Sequence, residues 1–208
     1  MLTKLDIDNY RHFSKCSIPF GSVQLICGRN GTGKTAIVEL LARLRYFLLG
    51  YNEAFSNPCS VNDLCSAADL PRWKRGRNKK HMTAIGFAFT TLASDVFEYA
   101  VEIEHSCDNT QTSVSSERLT YNGSTIYEKD FEPATRAENG AAIAFPLELK
   151  FSGLRDARRN SEEIQTFFSD VVVKLIPLSL NPRGFSGNHS EKSMILSLSG
   201  SNFSAWYD

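Results

Sequence analysis

The sequence predicts an α/β fold in which a strand, a glycine-rich loop and an amphipathic helix lead into a region of antiparallel β structure. Three observations predict it. Residues 28 to 35 read Gly28-Arg29-Asn30-Gly31-Thr32-Gly33-Lys34-Thr35, the pattern G-x-x-x-x-G-K-[ST] of a phosphate-binding P-loop. Apolar residues then recur at helical spacing, at Ile37, Leu40, Leu41, Leu44, Phe47, Leu48 and Tyr51. From Met82 to about Tyr127 the period changes to two.

Taken in order, residues 2 to 27 read as a β-hairpin. Leu5 and Ile7 alternate with charges, Ile18 and Phe20 follow, and Val23-Gln24-Leu25-Ile26-Cys27 has the composition of a buried strand entering the loop. Residues 35 to about 55 form the P-loop helix, with Glu39, Arg43 and Arg45 between its apolar positions. Residues 57 to 81 are a connecting segment rich in Pro, Asn, Ser and basic side chains. The antiparallel region contains Phe97-Glu98-Tyr99-Ala100-Val101-Glu102-Ile103-Glu104 and is punctuated by Asp108-Asn109 and Asn122-Gly123, both turn formers. After a loop around Glu138-Asn139-Gly140, residues 161 to 174 are expected to be helical, with Ser161 as N-cap and Glu162 and Glu163 in the first turn. A Ser/Gly-rich segment closes the chain.

Composition bounds the function. A chain of 208 residues with 42% hydrophobic content buries one sizeable core. No apolar run approaches the length that spans a bilayer, because Glu39, Arg43 and Arg45 interrupt the best candidate, and the N-terminus lacks the apolar core of a signal peptide. Five cysteines (Cys16, Cys27, Cys59, Cys65, Cys107) stand at irregular spacing without a zinc pattern, as expected of reduced thiols in a cytoplasmic protein. The net charge is zero, but it is unevenly spread. Residues 1 to 81 hold 13 Lys and Arg against 6 Asp and Glu, whereas residues 95 to 148 hold 3 against 11. A basic N-terminal part and an acidic middle suggest one polyanion-facing side.

The loop carries the chemistry. Gly28, Gly31 and Gly33 permit torsions and close approaches that a β-carbon forbids. Amides from about Asn30 through Thr32 to Thr35 then form an anion nest at a helix N-terminus. Lys34 would reach the β- and γ-phosphates and the Thr35 hydroxyl would ligate Mg²⁺. A second cluster is Arg72-Trp73-Lys74-Arg75-Gly76-Arg77-Asn78-Lys79-Lys80, six cations and one aromatic side chain in nine residues. It reads either as a nucleic-acid contact, through counterion release and stacking of Trp73, or as a solvated basic loop.

With these elements in place the chain resembles the ABC-type ATPase heads of the RecF, SMC and OLD proteins, particularly the stand-alone AAA-type ATPases of bacterial anti-phage systems. The resemblance rests on Asn9-Tyr10-Arg11-His12-Phe13 in a hairpin ahead of the P-loop, on the loop itself, and on Ser116-Glu117-Arg118-Leu119-Thr120-Tyr121 in the sheet that follows. It implies a P-loop NTPase fold with an antiparallel β subdomain, ATP and Mg²⁺ as ligands, and a homodimer closed around ATP. It also implies action on DNA or on a partner nuclease in DNA repair or anti-phage defence. In such heads the segment matching Tyr10 to Phe13 lies beside adenine and ribose, so Arg11 and His12 become candidate nucleotide contacts, with an ordinary surface hairpin as the alternative.

Departures from the family matter as much. Hydrolysis requires an apolar strand ending in Asp-Glu to hold Mg²⁺ and orient water, and none occurs. The nearest imitation, Thr166-Phe167-Phe168-Ser169-Asp170, lies in helix-like sequence. Leu198-Ser199-Gly200-Ser201-Asn202 resembles either the ABC signature or a Gly-Ser-Asn element that precedes the helical lobe of the stand-alone ATPases. The expectation is therefore the N-terminal part of one head, ending before its catalytic lobe. The alternatives are a nucleotide-binding module that does not hydrolyse and, further off, a transporter nucleotide-binding domain. A GTPase is disfavoured because Asn78-Lys79-Lys80-His81 lacks the guanine-reading Asp.

Overall fold

The computed structural model describes residues 1–52, 57–71, 73, 80–106, 111–130, 147–159 and 161–176. Among these, the strands are β1 (Leu2–Asp8), β2 (Cys16–Pro19), β3 (Tyr51–Asn52), β4 (Asn57–Pro58), β5 (His81–Thr90), β6 (Val96–His105), β7 (Thr112–Tyr121) and β8 (Ser124–Asp130). The helices are α1 (Lys34–Leu49), α2 (Val61–Leu64), α3 (Leu154–Ala157) and α4 (Glu162–Phe167), the last running into a π-type turn over Phe168–Val172. Six strands form one sheet in the order β2-β1-β5-β6-β7-β8. Every neighbouring pair is antiparallel.

Alternation built this sheet, as the period of two predicts. Leu5 and Ile7 on β1, Ile85 and Phe87 on β5, and Phe97, Tyr99, Val101 and Ile103 on β6 all face one side and are buried. That face is covered by α1, whose Leu40, Leu44, Phe47 and Leu48 are inaccessible to solvent. Phe167 of α4 enters the same layer, with ring centroids 6.1 Å from Phe87, 5.6 Å from Phe97 and 6.2 Å from Tyr99. The β7–β8 hairpin turns on Asn122 (φ 49°) and Gly123 (φ 80°), both left-handed, as a two-residue type I′ turn requires.

One partner switch departs from simple alternation. A bulge near Ser116 changes the parity of β7, so that Thr112, Val114, Glu117 and Leu119 point inward. Glu117 is fully buried as a result. It accepts hydrogen bonds from Tyr99 Oη (2.8 Å), Ser152 Oγ and the Gly153 amide (2.8 Å). Burial pushes its carboxyl up, against the lowering effect of these donors.

Several sequence expectations need correction. The α/β expectation holds as a P-loop domain, but the described architecture is an antiparallel six-stranded sheet with few helices. Residues 23–27 form no strand, and Val23 and Leu25 are 93% and 85% exposed. Strand composition becomes a strand only where a neighbour takes up its amides and carbonyls, and none of the described strands lies beside this segment. The P-loop helix ends at Leu49 rather than near 55. Gly50, with φ 78°, caps it by donating its amide to Tyr46 O at 2.8 Å. Tyr51 therefore belongs to β3. The connecting segment also holds more order than its composition suggests, because Asp63 and Asp69 accept from the amides of Ser60 (2.8 Å) and Ser66 (3.1 Å) and close two short helical turns. The expected Ser161 cap is present, its Oγ accepting from Ile164 N at 3.3 Å. The Asp108-Asn109 turn, the Glu138-Asn139-Gly140 loop, Cys107, Leu198 to Asn202 and the Ser/Gly-rich end lie outside the described residues.

Candidate nucleotide-binding site

The chain that links the β1–β2 hairpin to β5 carries the P-loop and α1, so the loop is delivered to the edge of the covered face. Gly31 and Gly33 take left-handed torsions, φ 81° and 97°. Gly33 is the N-cap of α1. A Cβ there would lie 2.9 Å from Phe13 Cζ, whereas a Cβ on Gly31 would meet nothing within 4 Å. At Gly28 the obstacle would be Thr32 Oγ1, at 2.8 Å. Thr32 closes the loop by donating its hydroxyl to Arg29 O at 2.9 Å.

The electrostatics suit an anion. Among the described residues no acceptor takes the amides of Gly31, Gly33, Lys34, Thr35 or Ala36. The first turn of α1 holds no acidic side chain, so the positive end of its dipole is uncompensated. Lys34 Nζ folds over the loop and donates to Gly28 O and Arg29 O, both at 2.7 Å. Thr35 is exposed at the same helix start, and Asn30 lies on the exposed turn of the loop. A polyphosphate would give these amides their missing acceptors and Lys34 an anionic partner. The residues present fit such a ligand.

Behind the loop lies a network that the sequence did not reveal. Arg11 Nη1 pairs with Glu39 Oε2 of α1, Arg11 Nε with Asp69 Oδ1 at 3.1 Å, and Arg43 Nη1 with Asp69 Oδ2 at 2.9 Å. Burial pushes the Asp69 carboxyl up, but the Ser66 amide, Arg43 and Arg11 outweigh it and hold it below the usual carboxylate range. The only sequence signal for this network was the Ser-x-x-Asp spacing of Ser66 and Asp69. His12 is exposed beside Phe13, and the two-residue bridge between Tyr10 and Phe13 keeps the turn tight.

The chain belongs to the AAA ATPase domain family. Residues 1–136 match the model of that family, AAA_15, and this stretch includes the P-loop, α1 and the whole six-stranded sheet. No curated protein matches the chain. A solved SMC ATPase, described for ATP-driven dimerization and DNA-stimulated activation, is similar at 17% identity over 61% of this chain and 72% of its own, with a TM-score of 0.32. At that level the likeness carries no functional argument.

Other expected site residues fall elsewhere. Trp73 is exposed, and Lys80 pairs with Glu104 Oε1 at 2.8 Å, joining the basic segment to the acidic β6. Arg72, Lys74, Arg75, Arg77 and Lys79 lie outside the described residues. The Thr166 to Asp170 imitation of a catalytic strand is helical, spanning the end of α4 and the π-type turn. On the uncovered side of the sheet a groove of about 460 Å³ runs over Ala84, Gly86, Ala88 and Ala100, walled by Asp6 and Glu102. This groove has neither the bare amides nor the glycine torsions of the loop. Among the described residues no helix is long and apolar enough to cross a membrane.

Proposed function

We propose that this chain is the ATP-binding part of a cytoplasmic ATPase head, with Gly28, Asn30, Gly31, Thr32, Gly33, Lys34 and Thr35 holding the phosphates. The observation that carries this reading is the run of amides at the start of α1 that have no acceptor among the described residues, beside a lysine that donates to two carbonyls of its own loop. Lys34 would exchange those carbonyls for phosphate oxygens, and Thr35 would offer its hydroxyl to Mg²⁺. When bound, Mg²⁺ supplies charge neutralisation between the outer phosphates. The turn bearing Arg11 and His12 borders the cradle through Phe13.

The chain would form part of one head, with two heads closing around ATP as a homodimer. The basic run from Arg72 to Lys80 supports action on DNA; a partner nuclease and a place in repair or anti-phage defence rest on the family resemblance alone. A second reading, binding without turnover, is favoured by the lack of any apolar strand ending in Asp-Glu in these 208 residues.

The test is calorimetric titration of ATP and GTP, with Mg²⁺, into the chain and its Lys34→Ala variant, beside a hydrolysis assay. ATP binding that falls more than about tenfold in the variant supports the cradle, since the lost contact is charge-assisted. Equal binding by both proteins would remove the P-loop from the argument. Turnover by the wild type alone would exclude the second reading.

A further inference from the structure

We propose that Arg11 is a positioning residue of this cradle, setting the torsion of Gly33 through the ring of Phe13 rather than by touching the nucleotide. The inference rests on the reading of residues 28–35 as the phosphate site. Arg11 sits at the corner of a turn whose backbone is left-handed at Asn9 (φ 59°) and at Arg11 itself (φ 50°). Non-glycine residues hold such torsions only where their surroundings enforce them. Four contacts do so here. Its guanidinium lies over the Tyr10 ring, 5.3 Å from the centroid, and Tyr10 is fully buried. Two of its nitrogens face the carboxylates of Glu39 and Asp69, and its backbone amide donates to the Asp69 carbonyl.

Those anchors belong to the machinery of the loop. Glu39 and Arg43 stand one turn apart on α1, the helix that begins at Lys34, and Arg43 holds the other oxygen of Asp69. The turn is therefore tied to α1 at one end. At the other end Phe13 lies against Gly33, close enough to collide with any Cβ there. The ring fills the space that a Cβ on Gly33 would need, so it packs against the left-handed residue that directly precedes the amides of Lys34 and Thr35. Arg11, Tyr10 and Phe13 form a bracket between the side of α1 and its N-cap, Gly33.

A bracket and a direct contact predict different losses. The probes are ATP and inorganic pyrophosphate, titrated separately with Mg²⁺ into the wild type, Arg11→Ala, Phe13→Ala, the double variant, and Glu39→Gln as a milder lesion. Thermal melts identify the variants that are folded at the titration temperature. The bracket requires Arg11→Ala and Phe13→Ala each to weaken both ligands by the same factor, about tenfold. It requires the double variant to bind no worse than the poorer single one, and Glu39→Gln to shift both ligands in the same direction by a smaller factor. A general loss of stability would not produce equal, non-additive losses on pyrophosphate, which fills only the cradle. Arg11→Ala that weakens ATP but leaves pyrophosphate untouched would overturn the proposal in favour of a nucleoside contact, as would losses that multiply in the double variant. Lys34→Ala separates the two levels: retained pyrophosphate binding in that variant refutes the P-loop reading itself, whatever Arg11 does.

Discussion

Two stretches that meet at Lys34 behave in opposite ways. From residue 34 onward α1 buries nine of its sixteen residues against the sheet, and its amides from Ile37 onward are committed to the helix. In the preceding stretch, residues 21–33, Val23 and Leu25 lie in solvent and most of the backbone has no partner among the described residues. The first stretch is held by area removed from water, about 1.5–3 kcal/mol for each large side chain. The second is held by the Thr32 hydroxyl bond, the two Lys34 bonds to Gly28 O and Arg29 O, and the ring of Phe13. Core stability and loop binding are therefore largely separable, and a change in the core under α1, away from the Arg11–Glu39–Asp69 network, should leave the loop largely intact.

The largest effect that would sharpen this contrast lies in the core. Phe167→Ala removes the ring shared by Phe87, Phe97 and Tyr99 and should lower stability by about 3–5 kcal/mol. Urea unfolding measures it, and ATP affinity at a temperature where the variant is folded should stay within a factor of about two. A parallel fall in affinity would break the separation.

The next effect is a pH dependence. His105 is buried, its ring between Thr83 Oγ1 (3.0 Å) and Thr112 Oγ1 (3.3 Å), and burial pushes its pKa down to about 4 from 6.5. The unfolded chain binds the proton more readily. Stability from this residue is thus complete above pH 6.5 and is lost as pH falls toward 4, by about 3 kcal/mol in all. Chemical unfolding at a series of pH values should show that slope, and His105→Gln should flatten it. An unchanged slope would mean that other groups, Asp69 among them, carry the acid sensitivity.

Smaller effects are expected at the loop. Gly33→Ala combines a left-handed torsion with a clash against Phe13 and should cost about 1–3 kcal/mol, together with a loss of ATP binding. Gly31→Ala meets open space and carries only the torsional penalty, about 1 kcal/mol. Equal penalties would show that Phe13 does not press on the loop. Smallest of all, Leu25→Thr should change stability by less than about 0.5 kcal/mol, because the side chain is already in water. A larger loss would reveal that residues 23–27 are paired after all.

The sequence alone determined whatever depends on local chemistry. Loop glycines at fixed spacing, the 3.6-residue stripe of α1, the alternation of β5 and β6, the Asn122-Gly123 turn and the Ser161 cap each need only near neighbours in the chain. Tertiary structure decided the rest, since those outcomes depend on partners remote in sequence. Residues 23–27 have the composition of a strand but lack a neighbouring strand among the described residues. Glu117 stands inside because a bulge reversed the parity of β7, and Leu119 was the only trace of that reversal. Arg11 reads as a candidate nucleotide contact or a surface residue until folding brings Glu39 and Asp69 to it. Charge pairing and strand pairing are properties of two segments at once, so a reading of one segment supplies only half of each.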